Sequence, residues 1–300
     1  MGNGREVFYG IMPADAACGG GAVRVKIHIG FDVAYECAEP TPTILMLSVH
    51  PSRARDLLFP DHLRIEPQLQ TARYVDMFGN ICTRLVAPVG ETRVSTEAVI
   101  LDSGEPDPVA PEAAQLAVAK LPHDVLIYLM GSRYCETDKL MNVAWSLFGE
   151  TPEGWPRVQA ICDFVHAHIK FDYMRARVTK TAADAYEERC GVCRDFAHLA
   201  IAFCRCMNIP ARYCTGYLGD IGVPPDPAPM DFSAWFEAYL GGRWYVFDAR
   251  HNTPRIGRVL IARGRDATDV AITTTFGPHI LKCFKVVTVE AENSPARLVA

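Results

Sequence analysis

Cys193 stands at the beginning of a segment whose apolar residues, at positions 196, 199, 200, 203 and 207, recur at helical spacing until Pro210 ends the helix. The first turn of a helix has N–H groups without intrahelical partners and carries partial positive charge. Both features favour a thiolate, and the same N–H groups can bind an oxyanion. The position therefore suits a cysteine nucleophile, although the residue type alone also allows a buried structural cysteine.

Cys190 and Cys193 form a Cys-x-x-Cys pair, which makes a thiol redox centre a second interpretation. Thioredoxin-like proteins place a strand directly before such a pair, whereas residues 181–189 are polar and have a helical pattern. A zinc site would also need Cys204 and Cys206, which lie too far along the same helix to complete a tetrahedron. The sequence also allows a disulfide between Cys190 and Cys193, which would switch the nucleophile off.

A predicted hairpin supplies the residues that could work with the cysteine. The paired glycines at 241–242 suit a two-residue turn, which places Leu240 opposite Arg243. Side chains alternate between the two faces from there, and Ser233 and Asp248 become diagonal neighbours. The face that they share is predicted to hold Ser233, Trp235, Glu237, Val246, Asp248 and Arg250.

The order of these motifs resembles that of the transglutaminase-like superfamily. The resemblance covers residues 122–280 and is carried by Cys193 at its helix, the Ile-Pro-Ala-Arg strand that ends in Gly-Tyr at 209–217, the Ala-Trp pair at 234–235 and the Trp-Tyr-Val-Phe-Asp run at 244–248. It implies a papain-like fold with a Cys-His-Asp triad, in which Cys193 matches the nucleophile and Asp248 the orienting aspartate. The β-rich first half is similar to the region that precedes this core in bacterial members. The family histidine precedes Ala-Trp, and here that position holds Ser233.

The general base is the residue that this pattern lacks. A serine hydroxyl does not titrate near neutral pH, so Ser233 cannot replace an imidazole. His251 follows Asp248 by three residues and is the candidate substitute. In a regular strand the two side chains would point to opposite faces, so His251 could serve only where the strand has already ended. Asn252 and Pro254 make such an end possible.

Three other residues of the predicted face, Trp235, Glu237 and Arg250, are candidate binding residues. Trp235 is expected to form a wall of the cleft or part of the core. Glu237 could act as a base if burial raised its pKa, and otherwise would pair with Arg250 or Arg212. His198 lies about 140° around the helix axis from the cysteine and is expected to pack rather than to act as the base.

The elements around this site divide into two regions. Alternating or apolar runs within 23–31, 43–49, 73–86 and 94–101 predict short strands. Residues 22–104 are therefore expected to form a β-sandwich-like domain after a loose tail at 1–21. A Pro- and Gly-rich stretch predicts a linker at 105–121, where the two halves should be separable. Residues 122–300 are expected to form the transglutaminase-like domain, which gives an α+β fold with the cysteine helix packed on an antiparallel sheet.

The composition excludes several other classes of protein. Hydrophobic residues make up 49% and charged residues 22% of the 300 residues, which is typical of a globular chain. A net charge of -5 without long runs of like charge argues against nucleic acid. No apolar stretch approaches the roughly 20 residues of a membrane span, and the N-terminus has no secretory signal pattern. Eleven scattered cysteines favour a reduced, cytoplasmic protein.

Three functions stay open at this point. The resemblance implies a cysteine hydrolase or acyltransferase that acts on peptide or amide bonds of a peptide or protein substrate through a Cys193 thioester. Ser233 at the histidine position favours a degenerate member that binds without turnover. The Cys190–Cys193 pair allows a redox protein. The sequence predicts no cofactor and no metal, and leaves the oligomeric state open.

Overall fold

The computed structural model of the chain describes residues 24–291, so the predicted tail at 1–21 lies outside the described residues. Within this range, two four-stranded antiparallel sheets form the N-terminal region. Four α-helices and a third four-stranded sheet form the region that contains Cys193. The predicted α+β class is confirmed.

The first sheet is built around two long strands. β1 (Val25–Cys37) pairs along its whole length with β6 (Gly90–Asp102). Ile27 and Ile29 of β1 are fully buried between polar neighbours, and this alternation makes one face of the strand part of the core. The short β3 (Arg64–Glu66) pairs with the other edge of β6.

The second sheet contains residues 73–86, where the sequence predicts strands, and a turn divides this region. β5 (Ile81–Ala87) pairs with β2 (Thr41–Leu45) on one side and with β4 (Ala72–Val75) on the other. Between β4 and β5, the Asp76 carboxylate accepts two backbone N–H groups of the turn, each at 2.8 Å. Gly79 has a φ of 85°, which a glycine adopts without the usual strain.

The last strands of the chain return to the N-terminal sheets. β13 (Thr273–Thr275) pairs with β2, and β14 (His279–Glu290) pairs with β1. The division into two domains stays a prediction. Residues 273–275 and 279–290, which the sequence assigned to the second domain, add a strand to each of the two N-terminal sheets.

The predicted linker at 105–121 is attached to the region that follows it. Ala113 is buried in the common core, and its carbonyl accepts the N–H of Trp155 at 2.9 Å. The carbonyl of Ala114 accepts the N–H of Gly241 at 2.8 Å. These bonds fix the segment against the hairpin and a helix, so it does not have the exposed backbone that a free linker would have.

Four α-helices follow the linker, and the last of them carries the cysteine. This helix is buried along almost its whole length, since Phe196, Leu199 and Phe203 are each 3% exposed or less. No helix among residues 24–291 is both long and apolar enough to cross a bilayer. The helices are α1 (Thr137–Phe148), α2 (Trp155–His168), α3 (Ala182–Glu188) and α4 (Cys193–Cys206).

The third sheet lies against α4. Its strand order is β11-β10-β9-β12, and β9 and β10 contact the helix. A separate pair of two-residue strands, β7 (Lys170–Phe171) and β8 (Cys190–Gly191), runs parallel just before α4. The strands of the third sheet are β9 (Ala211–Tyr217), β10 (Ser233–Leu240), β11 (Arg243–Phe247) and β12 (Val259–Gly264).

The hairpin of β10 and β11 has the predicted register but is shorter than predicted. Leu240 pairs with Arg243, and the turn glycines have φ values of 55° and 90°. The ladder ends at the pair Phe236 and Phe247, so the predicted register does not continue to residues 233–235 and 248–250. The chain leaves the strand at Asp248 and turns, because the N–H of Asn252 donates to the Asp248 carbonyl at 2.7 Å.

Candidate active site

The segment before α4 is shaped to fix the first turn of the helix. The Asp195 carboxylate reaches back and accepts the backbone N–H of Val192 at 2.8 Å. Gly191 lies against this carboxylate, since a Cβ added there would lie 2.7 Å from the Asp195 Cβ. Glycine therefore allows the close approach that sets the position of Cys193.

Cys193 lines a cavity at the N-terminus of α4 and is half-buried there. Burial raises the pKa of Cys193 to about 11, although the positive charge of Arg250 and the N–H of Ala234, which donates to the sulfur, act in the opposite direction. The expected stabilisation of a thiolate by the helix N-terminus is thus outweighed by burial. A base must take the proton before this thiol can attack.

His251 is the imidazole that the turn after β11 brings to this cavity. It lines the same cavity as Cys193, and its Nδ1 lies 2.9 Å from Oδ2 of Asp248. The other carboxylate oxygen, Oδ1, accepts the backbone N–H groups of Arg250 at 3.0 Å and of His251 at 3.1 Å. A carboxylate on Nδ1 holds the proton there and leaves Nε2 as the acceptor.

Asp248 is ionised in this setting. Burial alone would raise its pKa, but Arg258 and His251 outweigh burial and hold the pKa of Asp248 well below its ordinary value. Arg258 Nη2 donates to Oδ2 of Asp248 at 2.9 Å. The carboxylate can therefore orient His251 and stabilise the imidazolium that would form after proton transfer.

Ser233 lies where the family histidine was expected and also lines the cavity. It is the first residue of β10 and pairs with Gly216 of β9. The residue is buried, and its Oγ has no hydrogen-bond partner among the residues that the structure describes. Ser233 supplies no base at this position.

Two of the predicted binding residues face a different cavity. Trp235 is 2% exposed and packs with Cys214 and Leu260, and Glu237 pairs with Arg212 at 2.5 Å. Neither lines the cavity at the cysteine. Of the alternatives that the sequence left open, Trp235 belongs to the core and Glu237 pairs with Arg212.

The third predicted binding residue, Arg250, does line the cavity at Cys193. Its Cζ lies 3.9 Å from the centroid of the Phe171 ring, so the guanidinium is stacked on an aromatic wall.

Sequence analysis missed several residues of the cavity. They come from the Pro- and Asp-rich segment between β9 and β10, from the short turn after β7 and from the loop between β11 and β12, where no periodic pattern marks them. The cluster of prolines and aspartates directly before Ser233 was the available signal. The missed residues that line the cavity include Tyr173, Asp220, Asp226, Asp231 and Arg255.

Cys190, the first cysteine of the Cys-x-x-Cys pair, is not among the residues that line the cavity. Cys190 belongs to β8, and its carbonyl accepts the Lys180 ammonium at 2.8 Å. Cys190 and Cys193 are both free thiols. The polar helix expected over 181–189 is present as α3, and within residues 24–291 no group of three His, Cys, Asp or Glu side chains could hold a metal ion.

Comparisons with known proteins identify the family of this chain. The family model described as the transglutaminase-like superfamily core matches residues 145–249. A crystal structure of a candidate cysteine protease from Cytophaga hutchinsonii is 31% identical, with a TM-score of 0.78, and the match covers 92% of this chain and 94% of that one. The chain belongs to the transglutaminase-like superfamily.

The family match bears on the position of the base. Cys193, Ser233 and Asp248 all lie inside the matched residues 145–249, whereas His251 lies just beyond them.

A further relative is an uncharacterized protein of Mycobacterium leprae, 27% identical over 232 residues, which are 73% of this chain and 81% of that protein. The papain-like core expected from the sequence is therefore confirmed as a transglutaminase-like fold.

Proposed function

We propose that this transglutaminase-like protein is a cysteine hydrolase or acyltransferase that acts on amide bonds of peptides or proteins, with Cys193 as nucleophile, His251 as base and Asp248 as the orienting carboxylate. One observation carries the proposal. His251 Nδ1 lies 2.9 Å from the Asp248 carboxylate, and His251 and Cys193 line one cavity. This pair restores the histidine–aspartate part of a triad although position 233 holds serine.

The proposed reaction begins with proton transfer from the Cys193 thiol to Nε2 of His251. The sulfur attacks the amide carbonyl carbon, and the oxyanion that forms is stabilised by N–H groups at the start of α4. The imidazolium then gives its proton to the leaving nitrogen, the C–N bond breaks, and a thioester stays on the sulfur. Water or an amine next attacks the thioester, loses its proton to His251 and releases an acid or a new amide, while the sulfur takes the proton back.

A chromogenic ester tests the first half of this scheme. The full chain is mixed with p-nitrophenyl acetate, and the release of p-nitrophenolate and the mass of the intact protein are followed together. We expect a burst of product with acetyl on Cys193, and its loss in Cys193→Ala and His251→Ala. Cys190→Ala is the matched control and should keep the burst, whereas a burst that depends on Cys190 would contradict the proposal.

Competition between water and an amine tests the second half. Addition of glycine amide after acylation separates the two fates of the thioester. Faster loss of the acyl group with formation of N-acetylglycine amide would favour an acyltransferase, and an unchanged rate with acetate as the product would favour a hydrolase. Free cysteines throughout the described residues accord with the reduced, cytoplasmic setting that we propose for this chemistry.

A protein that binds peptides without turnover is the second candidate. Its support is the serine at position 233, whose Oγ has no partner within residues 24–291, together with a thiol whose pKa burial raises to about 11. Wild-type protein that binds a peptide library but acquires no acyl group from esters would favour this function.

A further inference from the structure

The carboxylate of Asp248 is held by a chain of side chains that extends away from the cavity. Its Oδ2 accepts from His251 Nδ1 and from Arg258 Nη2, both at 2.9 Å. Arg258 Nε donates in turn to Oδ2 of Asp107 at 2.8 Å. A positive guanidinium therefore lies between two carboxylates, and one of those carboxylates orients the imidazole.

Asp107 comes from the segment that the sequence predicts to be a linker. Besides its bond to Arg258, its carboxylate accepts the backbone N–H of Arg255 at 3.0 Å, and its own N–H donates to the Arg255 carbonyl at 2.9 Å. Three bonds thus join one residue of the segment to the chain at 255–258. Such an arrangement fixes Arg258 in position rather than leaving it to its many rotamers.

A residue of the N-terminal region holds the same part of the chain from another side. Arg53 Nη1 donates to the Arg258 carbonyl at 2.6 Å, and Arg53 Nη2 pairs with Asp102 at 2.9 Å. Arg258 is 7% exposed, so its charge is removed from water and acts on its neighbours with little screening. Its guanidinium would be costly to bury without both carboxylates.

We propose that Arg258 and Asp107 are positioning residues of the active site, which fix the Asp248 carboxylate toward His251 and balance its charge, so that the segment predicted to be a linker contributes to catalysis. The inference rests on the proposed function, because it gives His251 the role of the base. Arg258 competes with the imidazole for Oδ2, and Asp107 offsets part of the positive charge that Arg258 brings. The two residues should therefore have opposite effects on the protonation of His251.

Several other charged or titratable groups surround His251, and they are the same in the wild type and in variants of Arg258 or Asp107. The loop that carries His251 holds Arg250 and Arg255, α2 brings Asp163 and His166 to the same turn, α4 supplies the thiol, and the segment before β10 brings carboxylates to the cavity. The carboxylates of that last segment are those of Asp220, Asp226 and Asp231.

The test measures the titration midpoint of the His251 imidazole by ¹⁵N NMR in the full chain, with His251→Gln used to assign the signal. Arg258→Gln removes a positive charge beside the carboxylate and should raise the midpoint by about 1 pH unit, whereas Asp107→Asn leaves Arg258 uncompensated and should lower it by about 0.5. The acid limb of the acylation rate should move in the same two directions. Arg258→Lys keeps the positive charge, so its midpoint should lie close to that of the wild type.

Controls separate positioning from general damage to the fold. Arg93→Gln and Asp32→Asn break an ion pair on the first sheet that does not line the cavity, and neither should move the midpoint. Shifts in the same direction, or no shift, in the Arg258 and Asp107 variants would overturn the inference. If Arg258→Gln does not fold, the two single variants Asp107→Asn and Arg258→Lys decide. A lower midpoint in Asp107→Asn and a midpoint near that of the wild type in Arg258→Lys would support the inference. If Cys193 is acylated but the two midpoints do not shift in opposite directions, the inference is wrong and the proposed function stands. If the midpoints shift in opposite directions but Cys193 is never acylated, Arg258 and Asp107 do position Asp248 and the proposed function is wrong.

Discussion

His251 contacts Asp248 from only three residues further along the chain, with Nδ1 and Oδ2 2.9 Å apart. In an extended strand these side chains would point to opposite faces. The turn at 248–252 allows the contact, because the chain curls until the N–H of residue 252 reaches the Asp248 carbonyl at 2.7 Å. The turn therefore lets a histidine that follows the aspartate contact it and line the same cavity as Ser233.

The first prediction compares His251→Ala with Ser233→Ala. Loss of the imidazole should lower the rate of Cys193 acylation by about 10² to 10⁴, the usual contribution of a general base. Ser233→Ala should change that rate by less than about threefold, because its buried Oγ has no partner among the described residues. Stopped-flow acylation kinetics measure both. A loss in Ser233→Ala as large as that in His251→Ala would show that the hydroxyl takes part.

The second prediction concerns the reactivity of the thiol. Since burial raises the pKa of Cys193 to about 11, alkylation by iodoacetamide should accelerate with pH from neutrality to about pH 10, by roughly tenfold for each pH unit. Cys193 should still react before Cys135, Cys162 and Cys204, which are fully buried. Peptide mapping by mass spectrometry at a series of pH values gives the rates. A rate that is already constant from pH 7 upward would indicate a preformed thiolate.

The sequence contained the local part of this fold. Alternation in β1 and β6, the turn glycines of the β10–β11 hairpin and the apolar spacing in α4 are properties of neighbouring residues, and each predicts its element directly. The pairing of β1 with β14 was beyond such reasoning. It joins Ile27 to Glu290 across most of the chain, and neither strand marks its partner in its own residue pattern.

The candidate site divides in the same way. The positions of Cys193 and Asp248 follow from a helix start and from the register counted from the glycine turn at 241–242, both of which have local signals. The contact between His251 and Asp248 depends on where β11 stops, and strand ends are the weakest part of a sequence prediction. The ties of Asp107 to Arg255 and Arg258 join residues about 150 positions apart, and a Pro-rich segment gives no sign of them.

The third prediction tests the start of α4 through Gly191→Ala. The new Cβ would overlap the carboxylate of Asp195, which is 1% exposed and accepts the Val192 N–H. Displacement of this buried group should lower the free energy of unfolding by about 2 to 3 kcal/mol and slow the alkylation of Cys193. Urea unfolding and peptide mapping measure the two effects.

Gly277→Ala is the matched control for that substitution. Its Cβ would lie 3.1 Å from Thr41 Oγ1 and 3.2 Å from Thr41 Cγ2, a looser approach than the 2.7 Å between the Gly191 and Asp195 Cβ atoms, so the stability should fall less. Equal losses in the two variants, with Cys193 reactivity unchanged in Gly191→Ala, would show that the contact of Gly191 with Asp195 does not position the nucleophile.

The fourth prediction is that His198 makes the fold less stable in mild acid. The ring is fully buried, stacks on Tyr134 with centroids 5.0 Å apart, and accepts the Ala267 N–H on Nε2 at 3.1 Å. Burial lowers the pKa of His198 from 6.5 to about 3, and the nearby Asp266 carboxylate, which acts in the opposite direction, does not outweigh it. The unfolded chain therefore binds a proton below about pH 6.5 that the folded chain refuses until about pH 3. The contribution of His198 to stability is complete above about pH 6.5 and is lost progressively as the pH falls toward about 3. The loss of unfolding free energy is about 2 kcal/mol at pH 5.

His198→Gln separates this effect from the titration of the carboxylates. Glutamine keeps an acceptor for the Ala267 N–H but binds no proton, so the loss of unfolding free energy between pH 7 and pH 5 should shrink by about 2 kcal/mol relative to the wild type. Urea unfolding at the two pH values gives the comparison. His123→Gln, which replaces an exposed imidazole, should leave the pH dependence close to that of the wild type. An unchanged pH dependence in His198→Gln would mean that the buried ring accepts a proton in the folded state at pH 5, and the packing of Tyr134 against a neutral imidazole would then be the wrong description of this core.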